Sequence, residues 1–295
     1  MGPPRGRLAL LLLLALSTAL APAARPPPAS SRLYFTQIGI GTPAKSYYVQ
    51  VDTGSDILWV NCVFCDTCPR KSGLGYNQVS GNSQTTLANT SIMFGCGANI
   101  GGDLGSSSQA LDGILGFGQS NSSMLSQLAA AGKVRKVFAH CLDTINGGGI
   151  FAIGDVVQPK VSTTPLVPGM PHYNVNLEAI DVGGVKLQLP TNIFYIGESK
   201  GTIIDSGTTL AYLRGVVYNA IMSKVFAQYG DMPLKNDQDF QCFRYSGSVD
   251  DGFPIITFHF EGGLPLNIHP HDYVFQNRVI NHCSGLFLLS RKMYN

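Results

Sequence analysis

Apolar and polar residues alternate through residues 33–41, break at Thr42 and Pro43, and alternate again over residues 47–51, the period-two pattern of a β-hairpin. Similar short runs recur at residues 57–60, 91–95, 149–153, 173–182, 202–204 and 255–260, with glycine-rich breaks between them. Only two stretches show helical spacing. Met124, Leu125, Leu128 and Ala129 form one apolar face that stops at Gly132; Val217, Ile221, Val225 and Tyr229 form another that stops at Gly230. The pattern predicts an all-β protein with two scaffold helices. Residues 1–24 stand apart, because Arg5 and Arg7 precede an apolar run at 8–16 and a small-residue stretch ending near Ala24, the layout of a secretory signal peptide. That run falls short of the roughly 20 residues needed to span a bilayer, and no other stretch reaches them, so no transmembrane segment is expected. Residues 25–32 read as a Pro-rich linker or a short pro-segment remnant.

Composition narrows the class. The 295 residues are 44% hydrophobic and 13% charged, with 34 Gly and 17 Pro, which suits a sizeable core with many tight turns and excludes a disordered tail or a coiled coil. Twenty Lys and Arg against 18 Asp and Glu give a net charge of +2, which falls to zero if the leader is removed. No charge run marks a nucleic-acid footprint. Export makes disulfides the default use for Cys62, Cys65, Cys68, Cys96, Cys141, Cys242 and Cys283, and their odd number leaves one free, intermolecular or without its usual partner. The spacing of Cys62, Cys65 and Cys68 invites a metal reading, but no fourth ligand follows at a suitable distance, so none is assigned. Asn89 and Asn121 head Asn-x-Ser/Thr sequons and are expected glycosylation sites.

The informative feature is an internal echo. Val51, Asp52, Thr53, Gly54 and Ser55 precede the apolar stretch at Ile57–Trp59, and 153 residues later Ile204, Asp205, Ser206, Gly207 and Thr208 precede another at Leu210–Tyr212. Each copy ends a buried strand on a carboxylate, which needs partners to be tolerated there. The glycine permits a sharp turn that brings N–H groups to the carboxylate, and the hydroxyls hold the neighbouring loop. Two such loops facing one another would place Asp52 and Asp205 around one water. Like charges at that distance cannot both ionise, so the pair would share a proton, one carboxylate acting as general base and the other as general acid, with no metal and no cofactor. The alternative is that both triplets are ordinary Asp-headed turns.

Other motifs carry less. The spacing of Gly39, Gly41 and Ala44 mimics a dinucleotide fingerprint, but Pro43 and a strand occupy the place of its helix. His269 and His271 flank Pro270 in an expected loop and read as solvated rather than metal-binding.

Residues 34–43, both Asp loops, and residues 92–97, 111–118, 138–142 and 173–184 together resemble the pepsin-like aspartic proteases, in particular the plant branch related to nucellin and nepenthesin. The likeness runs from about residue 33 to 277. It implies an all-β, bilobal fold with an N-terminal lobe at 33–165, a C-terminal lobe at 166–277, and a peptide or protein substrate in the cleft between them. It also implies a monomer, routed to the secretory pathway and resident outside the cell or in the vacuole. Asp52 and Asp205 are then the catalytic pair, Thr53, Gly54, Ser55, Ser206, Gly207 and Thr208 their supporting loops, and Leu115–Gly116 the element beneath the first loop.

The chain departs from that pattern in two places. Near residues 74–75 it passes over several tens of residues that carry the family's cleft-covering hairpin, so Tyr76 reads as a strand residue and not as the hairpin tyrosine. Residues 278–295 read as a divergent tail, which leaves the C-terminal lobe incomplete and Asp205 without its usual floor. Cys283 stands near the place of the cysteine that would pair with Cys242, and Arg214 replaces a usual proline. The expected function is an aspartic-type endopeptidase acting at acidic pH. The alternative is an inactive aspartic-protease-like binding protein or a non-functional truncated isoform.

Overall fold

The structure is a computed structural model that describes residues 7–9, 34–41, 43–63, 65, 68, 84–87, 90–99, 112–142, 149–155, 161–190, 192–195, 201–208, 210–230, 232–237, 240–277, 281–284 and 286–288. Strands dominate it, in two halves that each bury a core of their own.

The first half is organised on β1 (Phe35–Ile40), β2 (Lys45–Asp52), β3 (Leu58–Asn61), β4 (Gly95–Gly97) and β5 (Gly113–Gly116). They form one sheet in the order β1-β2-β5-β3-β4. The hairpin is present, β1 running antiparallel to β2 with Phe35 opposite Gln50 and Ile40 opposite Lys45. Alternation fails over its last four residues: all of Val49 to Asp52 are buried, as expected of an interior strand, lying between β1 and β5, that is covered on both faces. β5 inserts between β2 and β3, parallel to β2 and antiparallel to β3, so that Leu115 lies opposite both Val51 and Leu58. Helix α1 (Met124–Ala130) buries Met124, Leu125 and Leu128 against Val49, Val60, Ile92 and Phe117. It starts where Ser123 Oγ accepts from Ser126 N at 3.2 Å and ends ahead of Gly132, whose φ of 66° lies in the left-handed region.

The second half carries two four-stranded sheets, one of Val185–Lys186, Leu177–Val182, Ile256–Phe260 and Leu264–Ile268, the other of Lys235–Asp237, Phe240–Phe243, Asn281–Ser284 and Val274–Asn277. Helix α2 (Gly215–Val225) packs Val217, Ile221 and Val225 onto Ile180, Phe243 and Ile256. Four short strands stand as pairs: β6 (Asn174–Val175) with β7 (Thr202–Ile203), and β8 (Ala211–Leu213) with β9 (Leu286–Leu288).

Several expectations need correction or supplement. Two one-turn helices, Val249–Gly252 and Pro270–Tyr273, escape detection because four residues are too few to display a 3.6-residue period. The second replaces the loop expected around His269 and His271, and His271 Nδ1 sits 2.9 Å from the Asp250 carboxylate. The stretch read as a divergent tail supplies two paired strands. In one of them Cys283 lies directly opposite Cys242, and the two are bonded. Cys62 is bonded to Cys96 and Cys65 to Cys68, which leaves Cys141 as the free thiol. Arg7–Ala9, within the expected leader, pairs with Thr163–Pro165; removing the leader would open that strand edge. The junction near 74–75, Tyr76, Asn89 and the rest of residues 1–33 lie outside the described residues, whereas Asn121 is exposed in the turn before α1.

Candidate active site

Both Asp loops begin where a strand ends. Asp52 closes β2 in register with Gly116 of β5, and Phe117 N donates to its main-chain carbonyl at 2.7 Å. Asp205 follows β7 by two residues. Within each loop the carboxylate takes the same two bonds. Gly54 N donates to Asp52 Oδ1 at 2.8 Å and Ser55 Oγ to Oδ2 at 2.5 Å; Gly207 N donates to Asp205 Oδ1 at 2.7 Å and Thr208 Oγ1 to Oδ2 at 2.5 Å. These are charge-assisted bonds, and they meet the cost of a carboxylate at a strand end.

The loops also grip one another reciprocally. Ser206 N donates to Thr53 Oγ1 at 2.9 Å, and Thr53 N donates to Ser206 Oγ at 3.2 Å. Each hydroxyl in turn donates a hydrogen bond to a carbonyl of the opposite half, Thr53 to that of Ile204 at 3.4 Å and Ser206 to that of Val51 at 3.0 Å. Four bonds thus relate the two copies by an approximate twofold. The glycines stand where the opposite carboxylate comes closest: a Cβ at Gly54 would lie 2.5 Å from Asp205 Cγ, and one at Gly207 would lie 2.5 Å from Asp52 Cγ. No side chain fits there.

The two acids are not equally placed. Asp52 is buried, while Asp205 is half-buried. Burial raises the Asp52 pKa above the usual carboxylate range; the charge and hydrogen bond of Asp205 act in the same direction, against the bonds from Ser55 and Gly54. Two adjacent carboxylates with one disposed to keep its proton can act on one molecule as acid and base together.

Sequence reading missed several residues that hold this arrangement. Gln50, on the polar phase of its strand, is buried and donates through Nε2 to the Gly207 carbonyl at 3.1 Å, bridging the halves. Asp56 Oδ1 accepts from Ser120 N at 3.0 Å, while Gly118 N donates to the Ser55 carbonyl at 2.8 Å, so the segment after β5 supports the first loop. Tyr173 reaches across to the Phe117 carbonyl at 2.6 Å, and burial, with the charge of Asp56, pushes its pKa up to about 12. A buried polar residue at an unexpected phase was the available signal for Gln50; for the others none is visible in one chain. Among the described residues no three His, Cys, Asp or Glu side chains gather as a metal site, and no helix is long and apolar enough to cross a membrane.

Residues 34–90 and 74–155 match the family described as Xylanase inhibitor N-terminal, and residues 172–292 match Xylanase inhibitor C-terminal. Aspartic proteinase 36 of Arabidopsis thaliana is 40% identical over 86% of this chain and 65% of its own length; Aspartic proteinase 39 of the same plant is 40% identical over 86% and 66%. Aspartic proteinase nepenthesin-2 of Nepenthes gracilis is 26% identical over 87% and 69%. The chain therefore spans about 65% of the length of the first relatives it matches. The alignment to Aspartic proteinase 36 runs to 314 positions, more than the whole chain contains, so the relative carries a stretch that this chain passes over. The N-terminal match comes in two pieces, residues 34–90 and residues 74–155, which overlap over residues 74–90.

Proposed function

Because the chain belongs to the pepsin-like aspartic protease family, we propose that it is an aspartic-type endopeptidase in which Asp52 and Asp205 share one proton and activate water. The observation that carries this reading is the reciprocal bonding of the two Asp loops, with each carboxylate held by the same pair of donors. In the active form one carboxylate is ionised and the other protonated. The ionised one takes a proton from water as the water oxygen adds to the scissile carbonyl carbon, and the protonated one donates to the carbonyl oxygen. Collapse of the resulting diol returns a proton to the departing amine. The titration belongs to the pair, and activity requires a pH at which the pair keeps one proton, which favours acid. The substrate is an extended peptide lying across the two halves, and the working unit is a monomer.

Export fits the same reading. The leader at 1–24, the three disulfides and the exposed Asn121 sequon support the secretory pathway, with glycosylation at Asn121 and Asn89 and residence outside the cell or in the vacuole.

The test is cleavage of an unfolded protein substrate from pH 3 to 7 by the chain, by Asp52→Asn and by Asp205→Asn, each shown to melt cooperatively. Activity at acid pH that disappears in both variants is expected. Acid-dependent cleavage that survives Asp205→Asn would sink the proposal. A second reading, a binding protein that holds peptide without cutting it, is favoured by the greater exposure of Asp205 and the cavity beside it. Peptide bound by a folded chain and recovered intact would establish that reading instead.

A further inference from the structure

Gln50 stands two residues before Asp52 on β2, and the residue at the same place before Asp205 is Ile203. The two positions differ in kind and in surroundings. Ile203 is 45% exposed, whereas Gln50 is 4% exposed and its Nε2 donates to the Gly207 carbonyl at 3.1 Å. This bond breaks the approximate twofold. The bonds between Thr53 and Ser206 come in matched pairs, but Ile203 carries no donor with which to answer Gln50 at the Gly54 carbonyl.

The carbonyl that Gln50 grips joins the two residues that hold Asp205. Gly207 N donates to Asp205 Oδ1 at 2.7 Å, and Thr208 Oγ1 donates to Oδ2 at 2.5 Å. Gly207 is also where the second loop comes closest to Asp52, since a Cβ there would lie 2.5 Å from Asp52 Cγ. Gln50 and Asp52 ride on one strand, held by β5 with Gln50 opposite Ile114 and Asp52 opposite Gly116. The Gln50 bond therefore ties the cradle of one acid to the strand that carries the other. The first loop rests in addition on Phe117, Gly118 and Ser120 of its own half. Among the described residues, every hydrogen bond between residues 205–208 and the chain outside their own loop runs to the first half, to Gln50, Val51 or Thr53.

We propose that Gln50 is a positioning residue: through the Gly207 carbonyl it sets how near the Asp205 carboxylate stands to that of Asp52, and so how firmly the pair keeps its one shared proton. This rests on the protease reading and adds a residue to it. Two carboxylates titrate in separate steps because the doubly ionised form is repulsive, and repulsion falls with distance. At an effective dielectric of about 20, each ångström added to a separation of about 4 Å narrows the interval between the two steps by about 0.6 of a pH unit. Loss of the tie also misplaces the second acid against the scissile bond. Binding of peptide is spared, because the Gln50 side chain is buried and its amide is engaged with the protein. The other titratable or charged groups around the two loops are Asp56, Tyr173, His172 and Arg214, and all of them stay in place when Gln50 is replaced.

The test is Gln50→Met, which keeps the length of the side chain and removes the donor. Ile256→Val, which takes one methyl group from the second core, is the control for lowered stability, and both variants are first shown to melt cooperatively. Carbon-13 at glycine carbonyls and nitrogen-15 in threonine together report only the pairs Gly41–Thr42, Gly201–Thr202 and Gly207–Thr208, so magnetic resonance reads the Gly207 carbonyl directly. Infrared titration with carbon-13 Asp carboxyls reads the pair, assigned by the bands lost in Asp52→Asn and Asp205→Asn. In Gln50→Met the Gly207 carbonyl resonance should move and the interval between the two steps should narrow by about half a pH unit or more. Its kcat should fall about tenfold or more, with KM changed less than about twofold. Ile256→Val should leave the resonance, the interval and KM at the parent values. An unmoved Gly207 resonance overturns the proposal, and so does a moved resonance with the parent's titration, or an equal narrowing in the control. Resonance and titration need no cleavage: a parent that cuts nothing would refute the protease reading alone, and a cutting parent whose titration ignores Gln50→Met would refute only the role of Gln50.

Discussion

Replacing Thr53 by valine removes a hydroxyl while keeping the shape of the side chain, at a position only 3% exposed. That hydroxyl accepts from Ser206 N at 2.9 Å and donates to the Ile204 carbonyl at 3.4 Å. Valine satisfies neither. A buried donor or acceptor that loses its partner costs about 1–3 kcal/mol, and the longer bond falls at the low end, so the expected loss is about 2–4 kcal/mol. Serine in the same place keeps the hydroxyl and gives up one methyl group, a cost of about 0.8 kcal/mol. The assay is urea unfolding of the three proteins at one pH, read as the midpoint at constant slope. Combining the valine with Ser206→Ala closes a double-mutant cycle, in which a coupling of about 0.5–3 kcal/mol is expected between the two hydroxyl residues. Valine and serine variants of equal stability would refute the reasoning, because the reciprocal bonds would then carry no weight.

Three further outcomes follow from the same geometry. Burial holds the Asp52 pKa above its unfolded value, so the native state keeps its proton longer, and stability falls as pH rises from the unfolded pKa through the folded one. Asp52→Asn should therefore raise Tm relative to the parent at pH 7 and lose that advantage at pH 3, where both forms are protonated; a larger advantage at pH 3 would contradict the sign. Gly207→Ala drives a Cβ to within 2.5 Å of Asp52 Cγ and should cost about 1–3 kcal/mol together with any cleavage activity, whereas an unperturbed melt would show that the loops stand farther apart. Tyr173→Phe deletes the 2.6 Å bond to the Phe117 carbonyl and should lower stability by about 1–2 kcal/mol in a urea titration, with no loss expected if that carbonyl is instead reached by water.

The hairpin at the start of β1, both scaffold helices and the two Asp loops were legible in the chain because each is written within a dozen residues. Alternation, an i, i+3, i+4 stripe closed by glycine, and a carboxylate followed by hydroxyl, glycine and hydroxyl are local signals. The echo at an offset of 153 residues even announced that the loops come as a pair. Tertiary structure alone decided how they meet. Gln50 reads as a solvent-facing residue until the second half delivers the Gly207 carbonyl to it, and Asp56 and Tyr173 owe their roles to the segment after β5 being laid beneath the first loop. The unequal surroundings of Asp52 and Asp205 belong to the same level. Their flanking sequences are nearly equivalent, but one strand end is enclosed by β5 and the other borders an open cavity. Burial depends on what the rest of the chain places around a residue, and burial is what first separates the two acids.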